Sequence, residues 1–479
     1  MSSPSTSLSS LRVAATGAGR RVVNADGEPV WLRGIAIGGW MNMENFINGY
    51  PGVEHSLRRH MADALGPEKA TYFFDRLLDH YLTQEDIAFI AGLGANVVRL
   101  ALNYRHFEDD ERPFEYRQEG FRRLEEALGW CETHGLYAIL DLHAVQGWQN
   151  PDWHSDNRTK YAMLWDHPHF QDRFVALWEE LARRYRGRAV IAGYDLMNEP
   201  QTRDVTGPQR WDRINALYRR AVDAIRRIDG EHIIFLEGDA FSSRFAGLEA
   251  PFDDNVVYSF HDYSLATFGP GAYPGTIRGR YRDRAHALQT VQNLQPVQYA
   301  REYGVPLWVG EFGAIYNGPR REIPDRLRAL DDQIAAFEEC DIHWTIWTYK
   351  DVGVMGVVTL DPHSPYMEIV KPILETKLKL ASDAWMSWLP SREVHRRVRS
   401  LTTFLQATVA DETFNTDEAT SMISDMVLAG YMATLLQPLY ISAFAGMSER
   451  ELDDVLQSFT LCRCKPNEGL IRVLKQHMA

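Results

Sequence analysis

Eight short stretches of this chain are almost wholly apolar and β-prone, and longer stretches between them repeat their apolar residues every three to four positions. The apolar stretches are Trp31 to Gly39, Asn96 to Leu102, Tyr137 to His143, Ile191 to Glu199, His232 to Asp239, Val256 to Tyr263, Pro306 to Ala314 and His343 to Asp351. Continuous apolar runs of this length predict parallel strands covered on both faces. The intervening segments predict amphipathic helices. Gly120 to His134 gathers Phe121, Leu124, Leu128 and Cys131 on one face and stops at Gly135, and Gln209 to Ile228 does the same with Trp211, Ile214, Tyr218, Ala221, Ile225 and Ile228. Strand and helix in alternation, eight times over, predict an α/β fold of the (β/α)8 type, the TIM barrel.

Three parts follow from the pattern. Residues 1–30 form a polar tail and a hairpin: Leu11 to Pro29 has two turn signals, Thr16-Gly17-Ala18-Gly19 and Asn24-Ala25-Asp26-Gly27, around β-prone runs, which suits a plug for the barrel bottom. Gly17 and Gly19 do not make a nucleotide loop, because Arg20 to Val23 continue as strand where such a loop would open a helix. Residues 31–377 form the barrel, with a long insertion from Trp40 to Gln84 after the first strand, where loops line the mouth. Residues 378–479 form a helical extension, predicted over Arg392 to Ala410, Thr416 to Gln437, Ser448 to Phe459 and Pro466 to Met478, with Ser448 and Glu451 spaced as a capping box. It carries no ligand-like cluster. Its expected role is packing, against the barrel or against a second copy in a homo-oligomer.

Composition narrows the function classes. Of 479 residues, 51 are Lys or Arg and 65 are Asp or Glu, a net charge of −14 with no basic stripe, so nucleic acid is not an expected partner. Cys131, Cys340, Cys462 and Cys464 are too few and scattered for a disulfide framework. The Ser-rich start lacks an apolar run of signal-peptide length, which sets the expectation of a cytoplasmic protein. Met426 to Met447 is uncharged and long enough to cross a bilayer, but Pro438 and several polar residues interrupt it, so the expectation is a buried helix pair broken near Pro438 and no membrane partner.

The chemistry lies at the strand ends. Glu199 closes the run Tyr194-Asp195-Leu196-Met197-Asn198-Glu199-Pro200, and Glu311 closes Trp308-Val309-Gly310-Glu311-Phe312. All strands of such a barrel end at one mouth, so two carboxylates 112 positions apart can meet over one substrate. Paired carboxylates cleave glycosidic bonds. Arg99, His143, His261, Tyr263 and Trp347 also sit toward strand ends. A metal-dependent hydrolase using His143 and His261 is the rival reading; it lacks a closely spaced histidine pair on the first strand, and neither metal nor cofactor is expected.

Together Arg99, His143, Asn198, Glu199, His261, Tyr263, Glu311 and Trp347 resemble, in order and in strand position, the pattern of glycoside hydrolase family 5, over roughly Leu11 to Thr376. The resemblance implies Glu199 as acid/base and Glu311 as nucleophile of a retaining mechanism, with Arg99 and Tyr263 holding Glu311 anionic. It also implies Asn198 as a donor to the sugar 2-hydroxyl, Trp347 as the floor and the histidines as polar edges. The segment from Gly38 to Ile47 and the loop from His143 to Asn150 are similar to the family's exo-β-1,3-glucanase and β-glucosidase branch, which implies sugar contacts from Glu44 and Asn150. Trp148, Trp153 and Tyr316 offer further stacking surfaces. The expectation is an exo-acting retaining β-glycosidase on short β-glucosides. A β-mannosidase, or an endo-acting glucanase or mannanase, uses the same barrel and the same residues.

Overall fold

The computed structural model describes residues 8–17, 19–203, 207–269, 271–382, 392–411 and 414–478. Eight strands close into a parallel barrel: β1 (Arg33–Ile37), β2 (Val97–Asn103), β3 (Tyr137–Ala144), β4 (Ile191–Asp195), β5 (Ile233–Glu237), β6 (Val256–His261), β7 (Leu307–Glu311) and β8 (Ile342–Ile346). Each lies beside its neighbours in sequence, and β8 closes on β1. All eight expected strands are present. The eighth is shorter than the expected span, because the chain leaves the barrel after Ile346 and resumes as a separate short strand at Lys350–Asp351.

Register decides which side chains meet at the mouth. Asp141 of β3 is paired with Asp195 of β4, His261 of β6 with Glu311 of β7, and Ala36 of β1 with Arg99 of β2. In a parallel sheet, laterally paired residues point to the same face, so these pairs crowd charged groups into the barrel axis. At the opposite end, the hairpin Arg12–Thr16 and Gly19–Val23 brings Leu11, Val13 and Val22 onto Val97, Ile139, Ala192, Ile233, Val257 and Trp308. This apolar cluster is the barrel floor. The helices follow the expected periodicity: Gln118–His134 ends at Gly135, whose φ of 70° is left-handed and suits glycine, and Trp211–Arg226 follows β4.

The insertion after β1 folds as helices Asn45–Asn48, Glu54–Leu65 and Pro67–Tyr81 and walls the mouth. The helical extension packs on it. Tyr366 and Tyr440 share a hydroxyl contact of 2.7 Å, and the Gln437 amide donates to the carbonyls of Pro51 and Val53 at 2.9 and 3.1 Å. Cys464–Pro466 adds an unanticipated strand to Val358–Leu360, and Phe444, Leu452, Leu456, Phe459, Leu470 and Leu474 join the main hydrophobic core.

Between these anchors the expected buried helix pair is only half realised. The segment Thr416–Ala445 is long and apolar enough to cross a membrane by length and composition, and 39% of its most apolar window is buried. It runs as Thr416–Ser421, then a π-helical Met422–Met432, then breaks in a turn before Gln437–Ala445. Pro438 sits in the first turn of the last helix, where its missing N–H costs nothing. One flank is not buried: Val427, Tyr431, Met432, Leu435 and Leu439 are exposed.

One buried cation ties the extension to the barrel. The Lys350 ammonium, fully enclosed, donates to Asp86 and to the carbonyls of Tyr81 and Phe459, each at 2.7 Å. Replacing it by a neutral residue leaves Asp86 buried without its counter-charge, a change that costs roughly 3 to 5 kcal/mol. Lys350→Met is therefore expected to lower the midpoint of chemical unfolding sharply; an unchanged midpoint by circular dichroism contradicts this account.

Candidate active site

The centre of the mouth is a single arginine. Arg99 has no solvent exposure and its guanidinium meets four carboxylates: Glu311 at 2.6 Å, Asp195 at 3.0 Å, Glu237 at 3.1 Å and Asp141 at 3.2 Å. It also donates to the Asn198 side-chain oxygen at 2.8 Å, which fixes the amide nitrogen as the donor end of Asn198, one of whose hydrogens faces His154 Nδ1 at 3.3 Å. The acids stand on four different strands, brought together by the registers above. Their field holds the guanidinium protonated well above its ordinary range despite burial.

Glu311 has both oxygens engaged. Oε1 accepts from Arg99, and Oε2 accepts from the Tyr263 hydroxyl at 2.8 Å. Burial, with the Glu311 and Glu199 carboxyls close by, pushes the Tyr263 phenol well up, so it stays a donor. The arrangement stabilises a carboxylate, with a cation on one oxygen and a neutral donor on the other.

Glu199 faces it from a strained backbone. Its φ is 47°, in a region that non-glycine residues rarely adopt. The conformation is gripped from both sides: its N–H donates to Glu237 at 2.7 Å and its carbonyl accepts from Asn150 at 2.9 Å. Strain held this firmly marks a side chain that must point one way. The Glu199 carboxyl lies 2.6 Å from His261 Nδ1 and 3.2 Å from His154 Nε2. Among Glu199, His261 and Glu311, ligand-type atoms lie within 4.8 Å of one another. That triangle has the donor types of a metal site, but each Glu311 oxygen already receives a donor and a guanidinium sits against it. The set fits a carboxylate pair better than a divalent cation.

The cavity between these acids measures about 240 Å³ and is lined by Glu44, Phe46, His143, Trp153, Tyr263 and Trp347 besides the two glutamates. His143 and Trp347 stack at 5.1 Å with a 4° interplanar angle. Glu44 lies 3.5 Å from His143 Nε2 and accepts from the Trp153 indole at 3.1 Å. Two expected sugar contacts are placed elsewhere. Asn150 is fully buried and spends its amide on the Glu199 carbonyl, so it positions the loop instead of lining the cavity. Trp148 is buried in the loop wall, and Trp153 takes the lining position. Arg99 likewise lies beneath Glu311, out of reach of a sugar.

Sequence reading missed Asp141, Asp195, Glu237 and His154. The first two lie inside quoted strand runs, and their signal is an acid in an otherwise apolar, doubly covered strand, which requires a buried partner. Glu237 ends β5 as Glu311 ends β7 and gave the same signal. His154 sits in a loop without periodicity and had no signal.

Protonation divides the histidines. Burial opposes a charge on His143, but Asp141 at 2.7 Å, Glu44 and Glu311 outweigh it and raise its pKa to about 10. Burial opposes a charge on His261 too, yet Glu311, Glu237 and Glu199 push it well above the usual range. At His154 burial wins, and its pKa falls to about 3. Glu237, despite burial, is drawn down to about 2 by His261, Arg99 and Ser242. The surrounding carboxylates thus favour the charged form of His143 and His261, while burial favours the neutral form of His154.

The chain is similar to several known proteins. The family model described as cellulase (glycosyl hydrolase family 5) matches residues 68–353. A protein named beta-xylosidase from Phanerodontia chrysosporium is 38% identical over 475 residues, covering 95% of this chain and 96% of its own length. A probable glucan 1,3-beta-glucosidase A from Aspergillus clavatus is 27% identical over 68% of this chain and 84% of its own. A crystal structure titled as a glycoside hydrolase superposes on 69% of this chain and 91% of its own with a TM-score of 0.51 at 20% identity, which speaks to the fold.

The His143 shift has a measurable consequence. Its folded pKa, about 10, lies above the unfolded value of about 6.5, so its ion pair contributes fully below about pH 6.5 and is lost as pH rises through about 10. The melting temperature is expected to fall between pH 7 and pH 10, and His143→Gln is expected to flatten that fall. Parallel profiles for the two proteins contradict the assignment.

Proposed function

The chain belongs to glycosyl hydrolase family 5, and from that premise we propose that it is an exo-acting retaining β-glycosidase working on short β-glucosides. The observation that carries the mechanism is the approach of the Glu199 and Glu311 carboxyls, whose nearest ligand-type atoms lie within 4.8 Å. Retaining enzymes keep their carboxyl groups about 5 to 5.5 Å apart, whereas inverting enzymes need about 6.5 to 9.5 Å to admit a water.

In this reading Glu311 attacks the anomeric carbon, since Arg99 and Tyr263 keep its charge in place. Glu199, oriented by His154 and His261, gives its proton to the departing oxygen as the glycosidic bond breaks. A glycosyl ester on Glu311 results. Water then enters from the leaving-group side, Glu199 takes its proton, and the hydroxide displaces Glu311, returning both acids to their starting states. Asn198, whose carbonyl is committed to Arg99, offers its amide to the 2-hydroxyl. His143 and Trp347, stacked together, form the floor under the ring.

Exo action is supported by the size of the cavity, about 240 Å³, and by Glu44 and Phe46 of the insertion in its lining. A second reading, a β-xyloside as substrate, is favoured by the name of the relative that spans nearly the whole chain.

Three measurements test the proposal. Glu311→Ala is expected to abolish turnover with the fold intact. Glu199→Ala is expected to slow substrates with poor leaving groups by about 10²- to 10⁴-fold and to spare dinitrophenyl glycosides; equal losses on both contradict the role of Glu199. With a chelator present, p-nitrophenyl β-glucoside is expected to be cleaved faster than the xyloside or the mannoside. Xyloside preference promotes the second reading, and cleavage of a long β-glucan in mid-chain without monosaccharide release overturns the exo assignment.

A further inference from the structure

A second cavity adjoins the catalytic one. It measures about 740 Å³ and shares Asp152, Trp153 and Phe241 with the smaller pocket. Its inner wall is the loop after β3, with Trp153 and Trp165, and its outer wall is the helical extension, with Met422 and Met426. A hydrolase needs room for the leaving group on the Glu199 side of the sugar, and this cavity opens from that side: His154, which contacts Glu199, lies 6.2 Å from the Phe241 ring.

Phe241 is held at the junction under strain. Ala240, Phe241 and Ser242 have φ of 53°, 56° and 59°, three successive left-handed residues, each disfavoured by roughly 1 to 2 kcal/mol. The Phe241 N–H donates to the Pro200 carbonyl at 3.2 Å, next to Glu199, and Ser242 bonds Glu237. The ring is thereby fixed between the two spaces by the same carboxylate that fixes the Glu199 backbone.

The outer wall is fastened to the barrel at the cavity itself. Lys160, from the loop after β3, is buried against Gly430 of the extension, where a Cβ would come within 2.2 Å of its stem. Its buried ammonium feels the charges of Asp152 of the barrel and Asp425 of the extension, and the Tyr431 hydroxyl donates to the Thr159 carbonyl. The extension is therefore set in a fixed position over the opening.

The lining selects a chemistry. Part of its charge is already committed, Asp166 to Tyr161 and Arg213. Beside the charged Asp152, Lys160, Arg203, Glu418 and Asp425, the space is faced by Trp153, Tyr161, Trp165, Phe241, Met422 and Met426, an aromatic and thioether surface whose thioethers adapt to irregular apolar shapes. Gln201 Oε1, buried without a hydrogen-bond partner, is left as an acceptor for a single hydroxyl.

We propose that the helical extension is part of the active site, forming with Trp153, Trp165 and Phe241 a leaving-group site for β-glycosides whose aglycone is a bulky, largely apolar body. This deepens the glycosidase reading and rests on it for the meaning of the site, although binding tests it without turnover. The probes are methyl and octyl β-thioglucoside, titrated by calorimetry below the micelle concentration. The octyl compound is expected to bind at least about tenfold more tightly, since each buried methylene adds a several-fold factor. Met422→Ser/Met426→Ser is expected to cut the octyl-to-methyl affinity ratio about tenfold, while Leu435→Ser/Leu439→Ser, exposed on the same extension outside the cavity, leaves it unchanged. Equal binding of the two probes by the wild-type protein overturns the proposal, whatever the variants do. So does a ratio that survives the Met422/Met426 change, or cellobiose binding more tightly than the octyl compound. Loss of all glycoside turnover with the binding ratio intact instead counts against the glycosidase reading alone.

Discussion

Arg99 is the constraint on which the mouth of this barrel depends. Four strands deliver Asp141, Asp195, Glu237 and Glu311 to one point, and these carboxylates cannot be buried side by side without a cation among them. The guanidinium supplies both charge and geometry, since its fixed fork of donors reaches four acids and Asn198 at once. It acts from below the substrate. Its effect is to hold the Glu311 carboxyl and the Asn198 side-chain oxygen in place, and to set the base on which the Glu237 and Glu199 contacts are built.

From that base the site diverges into two environments for two glutamates. Glu311 sits low, with a guanidinium and a phenol on its oxygens. Glu199 sits higher, on a strained backbone held by Glu237 and Asn150, with His261 and His154 at its oxygens. In the proposed mechanism the first attacks and the second exchanges the proton. Such separation of environments is the usual way in which two like acids take different roles.

The fold was legible because it is written in periodicity: doubly covered strands are continuous apolar runs, and every one of the eight could be found. The acids at strand ends stood out against that background, and Glu199 and Glu311 were legible for this reason. What periodicity cannot convey is register and loop path. Register places Asp141 beside Asp195 and makes Arg99 the hub, while the loop after β3 turns Trp148 and Asn150 inward and presents Trp153 and His154 instead. The extension was legible as helices but not as a wall, since its contact with the site runs through Lys160 and Gly430, a pairing without a sequence signature.

The most direct test of the account is to trap the intermediate. Incubation with a 2-deoxy-2-fluoroglycosyl fluoride of the preferred sugar, followed by peptide mass spectrometry, is expected to find one glycosyl ester, on Glu311. A label on another residue contradicts the assignment of the nucleophile. Turnover of the reagent to the inverted sugar with no label contradicts the retaining mechanism itself.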